Sequence, residues 1–311
     1  MLIKQIIDLF DILDSSTANG EQAVNYLDRI RAGATTYPLV GPKGKTDMVQ
    51  VSIPGTKGKT NGGHAPTIGL LGRLGGLGAR PERVGFVSDG DGALAALAIA
   101  AKLLDMQNKG DFLEGDVFIS THICPNAPTK PHSPVPFMDS PVDMAAVNAE
   151  EASPELDAIL SVDTTKGNRI INHRGFAISP TVKEGYILKV SDDLLDVMTI
   201  TTGELPKAFA LSTQDITPYG NGLYHLNSIL QPATATDAPV VGVAITAASA
   251  VPGCATGASH FTDIEGAARF MLEVAKAFGR GECKFYCEKE FERIQNLYGN
   301  MNHLQTLGHS S

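Results

Sequence analysis

Tryptophan is missing from these 311 residues, and cysteine is scarce, with thiols only at positions 124, 254, 283 and 287. So few cysteines do not make the dense disulfide framework that small secreted domains need, so reduced thiols and a cytoplasmic location are expected. Positive charge is outnumbered, with 25 Lys and Arg against 34 Asp and Glu. That balance argues against general binding to nucleic acid or to an anionic membrane, because both need a basic face. No apolar run is long enough to span a bilayer. The opening stretch is broken by Asp8 and Asp11 and leads to no small-residue cleavage site, so no secretory signal is expected. No internal repeat is visible, and low complexity is confined to a proline-rich loop from Pro125 to Pro141.

What is there is an ordinary globular composition, 43% hydrophobic and 19% charged, in a chain able to bury one large core. Thirty-two glycines and eighteen prolines point to tight turns around strands rather than to a helical bundle. Ile3, Ile6, Ile7 and Phe10 recur at helical spacing, and a second helix is expected around Gly20–Ala32. Met48–Ile53 alternates as a strand, and Val84–Ser88 and Asp116–Thr121 read as two more. Between those two, Ala93–Met106 is apolar nearly all round, the mark of a buried helix. This order makes a βαβ unit with a parallel strand pair. Further strands are expected at Asp157–Val162, Tyr186–Val190, Val197–Ile200 and Val240–Ile245, and a helix over Asp263–Phe278.

Chemically capable residues stand where the strands end, and in open α/β sheets the crevice beyond the carboxyl ends is where ligands bind. Asp89 follows one strand, His122 and Cys124 another, and Asp163 a third. His260 lies between the last strand and its helix, and His64 ends a glycine-rich loop. Imidazoles and carboxylates converging there suit zinc or a related divalent ion. Plainer readings stand beside these. Asp89 and Asp91 also suit the N-terminus of the helix near Ala93, where a carboxylate accepts N–H bonds. Cys124 reads equally as a small apolar residue.

Three segments follow one another in a telling order: Phe86-Val-Ser-Asp89-Gly-Asp-Gly-Ala-Leu-Ala-Ala96, Ala158-Ile-Leu-Ser-Val-Asp163-Thr-Thr165 and Ala258-Ser-His260-Phe-Thr-Asp-Ile-Glu265. Together they resemble the frame of the aminopeptidases with two co-catalytic metals. That frame has a strand ending in a bridging aspartate, a small-residue helix, a strand ending in aspartate, and a histidine before the last helix. The resemblance implies an α/β three-layer sandwich, with a mostly parallel central sheet and helices on both faces. It further implies a homo-oligomer, a small-molecule or short-peptide substrate, and a divalent metal, zinc first. The ligands would be Asp89, Asp163, His260 and one of His122, Cys124 or His64. Where that family carries a glutamate pair, supplying a base and a ligand, this chain reads Thr121-His122-Ile123-Cys124-Pro125. A hydrolase on this frame would take its base from Asp91, Asp215 or Glu265, or rely on a metal-bound hydroxide. Over the whole chain the sequence is similar to a prokaryotic family designated domain of unknown function 1177. Pro66–Glu82 and Val87–Asp91 carry that likeness, which brings no reaction with it.

A competing motif is Gly55-Thr-Lys-Gly-Lys-Thr60. It resembles the phosphate loop of the amino-acid ligases that build peptidoglycan precursors, with Lys59 on the terminal phosphates and Thr60 on magnesium. Asn61-Gly-Gly63 and Pro66 delay the helix that such a loop needs at once, so a solvated basic loop competes with it. Three functions therefore stand open: a metal-dependent hydrolase of small peptide-like or amide substrates, a catalytically inactive small-molecule binder, and a nucleotide-dependent ligase. The expected organisation is a helical segment over residues 1–47 packed on a single α/β domain over 48–280, then a helix and tail over 281–311.

Overall fold

A computed structural model of the chain describes residues 2–73, 85–131, 137–251 and 258–308. Two helices lead, α1 (Ile3–Leu13) and α2 (Gly20–Ile30), the second capped by the Asn19 side chain, which accepts from Gln22 N. A hairpin of β1 (Ala34–Gly41) and β2 (Gly44–Ile53) follows, so the sheet begins inside the stretch expected to be helical. Next come β3 (Thr67–Gly72), α3 (Asp91–Asn108) and β4 (Asp116–Ile123). A small separate ribbon, β5 (Thr129–Lys130) and β6 (Phe137–Met138), precedes α4 (Met144–Glu151) and β7 (Ala158–Thr164). Then come β8 (Gly175–Ile178), β9 (Val182–Lys183), β10 (Tyr186–Ile187) and α5 (Asp192–Thr202). The chain closes with β11 (Val240–Thr246), α6 (Phe261–Gly279) and α7 (Glu288–Tyr298).

Among the described residues the main sheet has nine strands, in the order β1-β2-β4-β3-β7-β11-β9-β10, with β8 also paired to β11. Its centre, β4-β3-β7-β11, is parallel, and the flanking strands are antiparallel. Alternation divides each central strand between two faces. Ile68, Leu70, Leu160 and Val243 face α1, α3, α5 and α6, whereas Leu71, Ile159 and Ala244 face a second core closed by the segment around Ile216–Ala233. The helix α4 covers that second face near β2, with Met144 and Val147 over Met48. The α/β layering expected from the sequence is therefore present. The helix α3 is buried nearly all round because it lies between the sheet and α1, α2 and α6. Each fully buried leucine or isoleucine there contributes about 1.5–3 kcal/mol, so α3 is held rigidly, and Asp91 is held at its start.

Two strand assignments need correction. The first parallel strand is Thr67–Gly72, not Val84–Ser88: Gly85–Val87 lead into a turn at Ser88–Gly90, and Val84 lies outside the described residues. Glycines hide β3 in the sequence because they interrupt its apolar run, yet packing requires them. A Cβ on Gly72 would stand 2.5 Å from Gly92 O, and one on Gly92 would stand 2.6 Å from Val162 O. That mutual approach brings the start of α3 against the ends of β3 and β7. The second correction is Val197–Ile200, which belongs to α5. Ser191 caps that helix by accepting from Leu194 N, Asp192 and Asp193 occupy its first turn, and Gly203 ends it at φ 71°. These end signals outweigh the β-branched residues between them. The strand expected over Tyr186–Val190 shortens to the two residues of β10. No helix among the described residues is long and apolar enough to cross a membrane.

Candidate active site

The carboxyl ends of β4, β3 and β7 finish together, with Gly72 opposite both Thr121 and Val162. One residue further on, His122, Arg73 and Asp163 form a row on the second face, and all three are buried. The Arg73 guanidinium donates from Nη1 to Glu151 and from Nη2 to Asn148 Oδ1 at 3.1 Å, so α4 supplies its counter-charge. Arg73 and Glu151 are both fully inaccessible to solvent. Burial pushes the Glu151 carboxyl up, and Arg73 opposes that shift. A buried pair of this kind is costly to break, because the survivor is an uncompensated charge.

Asp163 has no such ion pair. Its Oδ2 accepts from Ser228 Oγ at 2.7 Å and its Oδ1 from the Thr164 N–H at 2.7 Å. Burial pushes its carboxyl up to about 7; Ser228, Thr164 and Arg73 oppose the shift, and the Asp89 charge adds to it. His122 accompanies it as a neutral imidazole, driven down to about 3 by burial and by Arg73. The Thr46 hydroxyl lies 2.9 Å from His122 Nδ1 and donates to Ile123 O at 3.2 Å. With that proton spent, Nδ1–H is the donor and Nε2 is a bare acceptor, without a partner among the described residues.

The start of α3 completes the site. Asp91, wholly buried, holds Lys166 Nζ on Oδ2 at 3.1 Å and receives the Ser259 hydroxyl on Oδ1. Lys166 follows β7 by two residues, and its side chain is only 4% exposed. Burial pushes Asp91 up to about 6, against the pull of Lys166 and Ser259, while Asp89 adds to the rise. Asp89 sits in the turn before α3, close enough for its charge to raise both Asp91 and Asp163. That turn is locked to β7, because Thr164 Oγ1 donates to Ser88 O at 2.5 Å. His260 is the residue before α6, next to Ser259 and exposed, and its side chain makes no capping bond.

The other expected site residues lie elsewhere or are committed to their own neighbours. His64, Lys59 and Thr60 stand at the opposite pole, where the parallel strands begin. There Lys59 Nζ pairs with Asp157 Oδ2 at 2.6 Å. Thr60 donates from N and Oγ1 to Asp116 Oδ2, at 2.8 and 3.0 Å. The loop thus wraps the protein's own carboxylates and leads into a three-residue turn of 3-10 helix, a geometry that favours the solvated-loop reading of Lys59 and Thr60 over the phosphate-loop one. Asp215 closes a capping box with Ser212 and accepts from Leu226 N. Glu265 accepts from Leu2 N and pairs with Arg269. The Cys124 thiol donates to Lys45 O, and burial pushes it up to about 11, far from a ready thiolate.

The expected zinc donors therefore do not fit a metal ion. Among the described residues, no three His, Cys, Asp or Glu side chains gather in a group able to hold one. His122 Nε2 is a free donor atom, yet the Arg73 guanidinium that lowers its proton affinity would repel a metal cation in the same way. Asp91 and Glu151 already carry ammonium and guanidinium counter-charges. Sequence reasoning missed Arg73, Lys166 and Glu151. The signals were thin: an arginine ending an apolar-glycine run, a lysine three residues past Asp163, and a glutamate on a short helix.

The model of a protein family described as "Protein of unknown function (DUF1177)" matches residues 39–308. No curated protein sequence matches significantly. Among solved structures, the bottromycin maturation enzyme BotP is similar, at 14% identity and a TM-score of 0.52, over 89% of this chain and 70% of that one. A glutaminyl cyclase from an Acidobacteriales bacterium is similar at 15% identity and a TM-score of 0.50, over 90% of this chain and 93% of that one. The cytosol aminopeptidase of Coxiella burnetii gives 12% identity and a TM-score of 0.49, over 90% and 69%. Identities this low concern the fold alone, a mixed α/β frame shared with the first two.

Proposed function

The chain belongs to the DUF1177 family, and because that family's description assigns no reaction, we propose from the site itself a hydrolase of small peptide-like or amide substrates. One observation carries the reading. Two buried carboxyls, Asp91 at the start of α3 and Asp163 at the end of β7, have proton affinities raised to about 6 and about 7 by different surroundings. Titratable groups set apart in this way divide into acid and base roles. Asp91, paired with Lys166, is mostly ionised at neutral pH and accepts the proton of the attacking nucleophile. Asp163, which has no ion pair, is the better proton donor to the amide as its carbonyl gathers charge. Arg73 and Lys166, each held by a carboxylate, are the cations placed to stabilise that charge.

A panel of aminoacyl anilides and dipeptides tests this. Asp163→Asn and Asp91→Asn should each lower kcat by about 10²–10⁴, the usual weight of general acid or base help. Turnover that survives both substitutions would sink the reading. A second reading, a binder without turnover, is favoured by the Lys166–Asp91 and Arg73–Glu151 pairs, which leave both carboxylates already neutralised. It predicts calorimetric binding of the same amides with no product. Zinc has no part in either reading, given the donor set. The free thiols of Cys124, Cys283 and Cys287 support a reducing, cytoplasmic setting.

A further inference from the structure

Asp91 lies at the centre of a three-membered arrangement that the acid–base reading does not use in full. Its Oδ1 receives the Ser259 hydroxyl and its Oδ2 holds the Lys166 ammonium at 3.1 Å. The exposures are graded: Asp91 is fully buried and the Lys166 side chain is 4% exposed, whereas Ser259 is half-buried. Nucleophile bonded to base, and base bonded to an orienting group, is the geometry that activates a hydroxyl. The loop carrying Ser259 runs directly into α6, whose His260 carbonyl accepts from Asp263 N and Ile264 N. The N–H groups of Phe261 and Thr262 open the first turn of that helix, where backbone donors have no intrahelical acceptor, two and three residues from Ser259.

We propose that Ser259 is a covalent nucleophile, with Asp91 as its base and Lys166 as the group that fixes Asp91, so that amides are cleaved through an acyl-serine. This deepens the hydrolase reading and rests on it. The Ser259 Oγ–H proton passes to Asp91 Oδ1 as the Oγ–carbon bond forms. The proton then moves to the leaving nitrogen as the carbon–nitrogen bond breaks. Water next adds to the acyl carbon and gives its proton to Asp91. Cleavage of the Oγ–carbon bond returns that proton to Ser259 and releases the carboxylic acid. No outside oxidant, reductant or co-reactant other than water is needed. A carboxyl that titrates near neutrality can both take and return a proton at pH 7.

The test uses the full chain and a fluorophosphonate, a probe that phosphonylates activated serines whatever the natural substrate. Intact-mass analysis and peptide mapping should find one adduct, on Ser259, at pH 7.5. Ser259→Ala should abolish it, and Asp91→Asn should slow labelling at least tenfold. If Asp91→Asn fails to fold, the wild-type pH profile decides. With Asp89 and Lys166 the charged groups acting on Asp91, labelling should fall about tenfold from pH 7 to pH 5, as Asp91 takes up a proton near pH 6. No adduct, an adduct elsewhere, or labelling indifferent to both Asp91 and pH overturns the proposal. The two ideas fail separately. Amide turnover that persists in Ser259→Ala removes the nucleophile and keeps the hydrolase. Labelling of Ser259 without turnover of any amide keeps the nucleophile and removes the assumed substrate class.

Discussion

The two ends of the parallel strands treat charge in opposite ways. Where β4 and β7 begin, Asp116 and Asp157 are matched by N–H groups, a hydroxyl and Lys59 in a partly exposed knot. Where the same strands end, Arg73, Glu151, Asp91 and Asp163 are withdrawn from solvent, and buried polar atoms on Arg73, Glu151 and His122 go without partners among the described residues. The first end is polar structure that holds a loop. The second is a costly arrangement of a kind that natural proteins keep chiefly where function demands it.

That contrast is broken most sharply at the buried pair. Glu151→Ala should destabilise the fold by about 3–5 kcal/mol, because it leaves the Arg73 guanidinium buried without a counter-charge. Urea unfolding measures this, and a loss below about 1 kcal/mol, the range of exposed pairs, would show that the two ends do not differ as described.

Next in size is the pH response of Asp163. Its carboxyl is harder to ionise in the folded protein than in the unfolded chain. Its contribution to stability is therefore full below the unfolded value near 4 and is lost as pH rises through about 7. A rise of roughly three units amounts to about 4 kcal/mol at most, at 1.36 kcal/mol per unit. Asp163→Asn removes the ionisation, so melting curves should show the variant gaining on the wild type between pH 5 and pH 8.5. Parallel curves would mean that Asp163 is better solvated than its burial implies. Asp91→Asn should do the reverse and destabilise throughout, since it strands the Lys166 ammonium.

Legibility in the sequence followed the same division. Alternation marked β2, and unbroken apolar runs marked β4, β7, β11 and α3, because burial on both sides leaves a continuous apolar stretch. Asp89, Asp91, Asp163 and Ser259–His260 were legible as strand-end and helix-start residues, which is where an α/β sheet puts its crevice. Arg73 was not, because its strand is masked by Gly69 and Gly72 and its partner Glu151 is 78 residues away. Nor was the pairing of Asp91 with Lys166 and Ser259, which joins positions separated by 75 and 168 residues. Spacing along a chain carries no trace of such contacts. Residue types suited to a metal were legible at the strand ends, but the Lys166 and Arg73 cations buried among them, paired with Asp91 and Glu151, were not.

The smallest effect belongs to the end where the strands begin. Lys59 and Asp157 pair at 2.6 Å with side chains 45% and 38% exposed. Lys59→Ala should therefore cost no more than about 1 kcal/mol, since exposed ion pairs trade a screened attraction for lost side-chain freedom. The substitution also sharpens the contrast chemically. If the Gly55–Thr60 loop bound phosphate, ATP with magnesium would raise the melting temperature of the wild type and not of the variant. With the Gly55 and Thr60 N–H groups on Asp116 and those of Thr56, Lys57 and Gly58 on backbone carbonyls, the loop has few to offer an anion, and both proteins should melt unchanged. A nucleotide-dependent shift confined to the wild type would restore the ligand-binding reading of this end and erase the difference between the two.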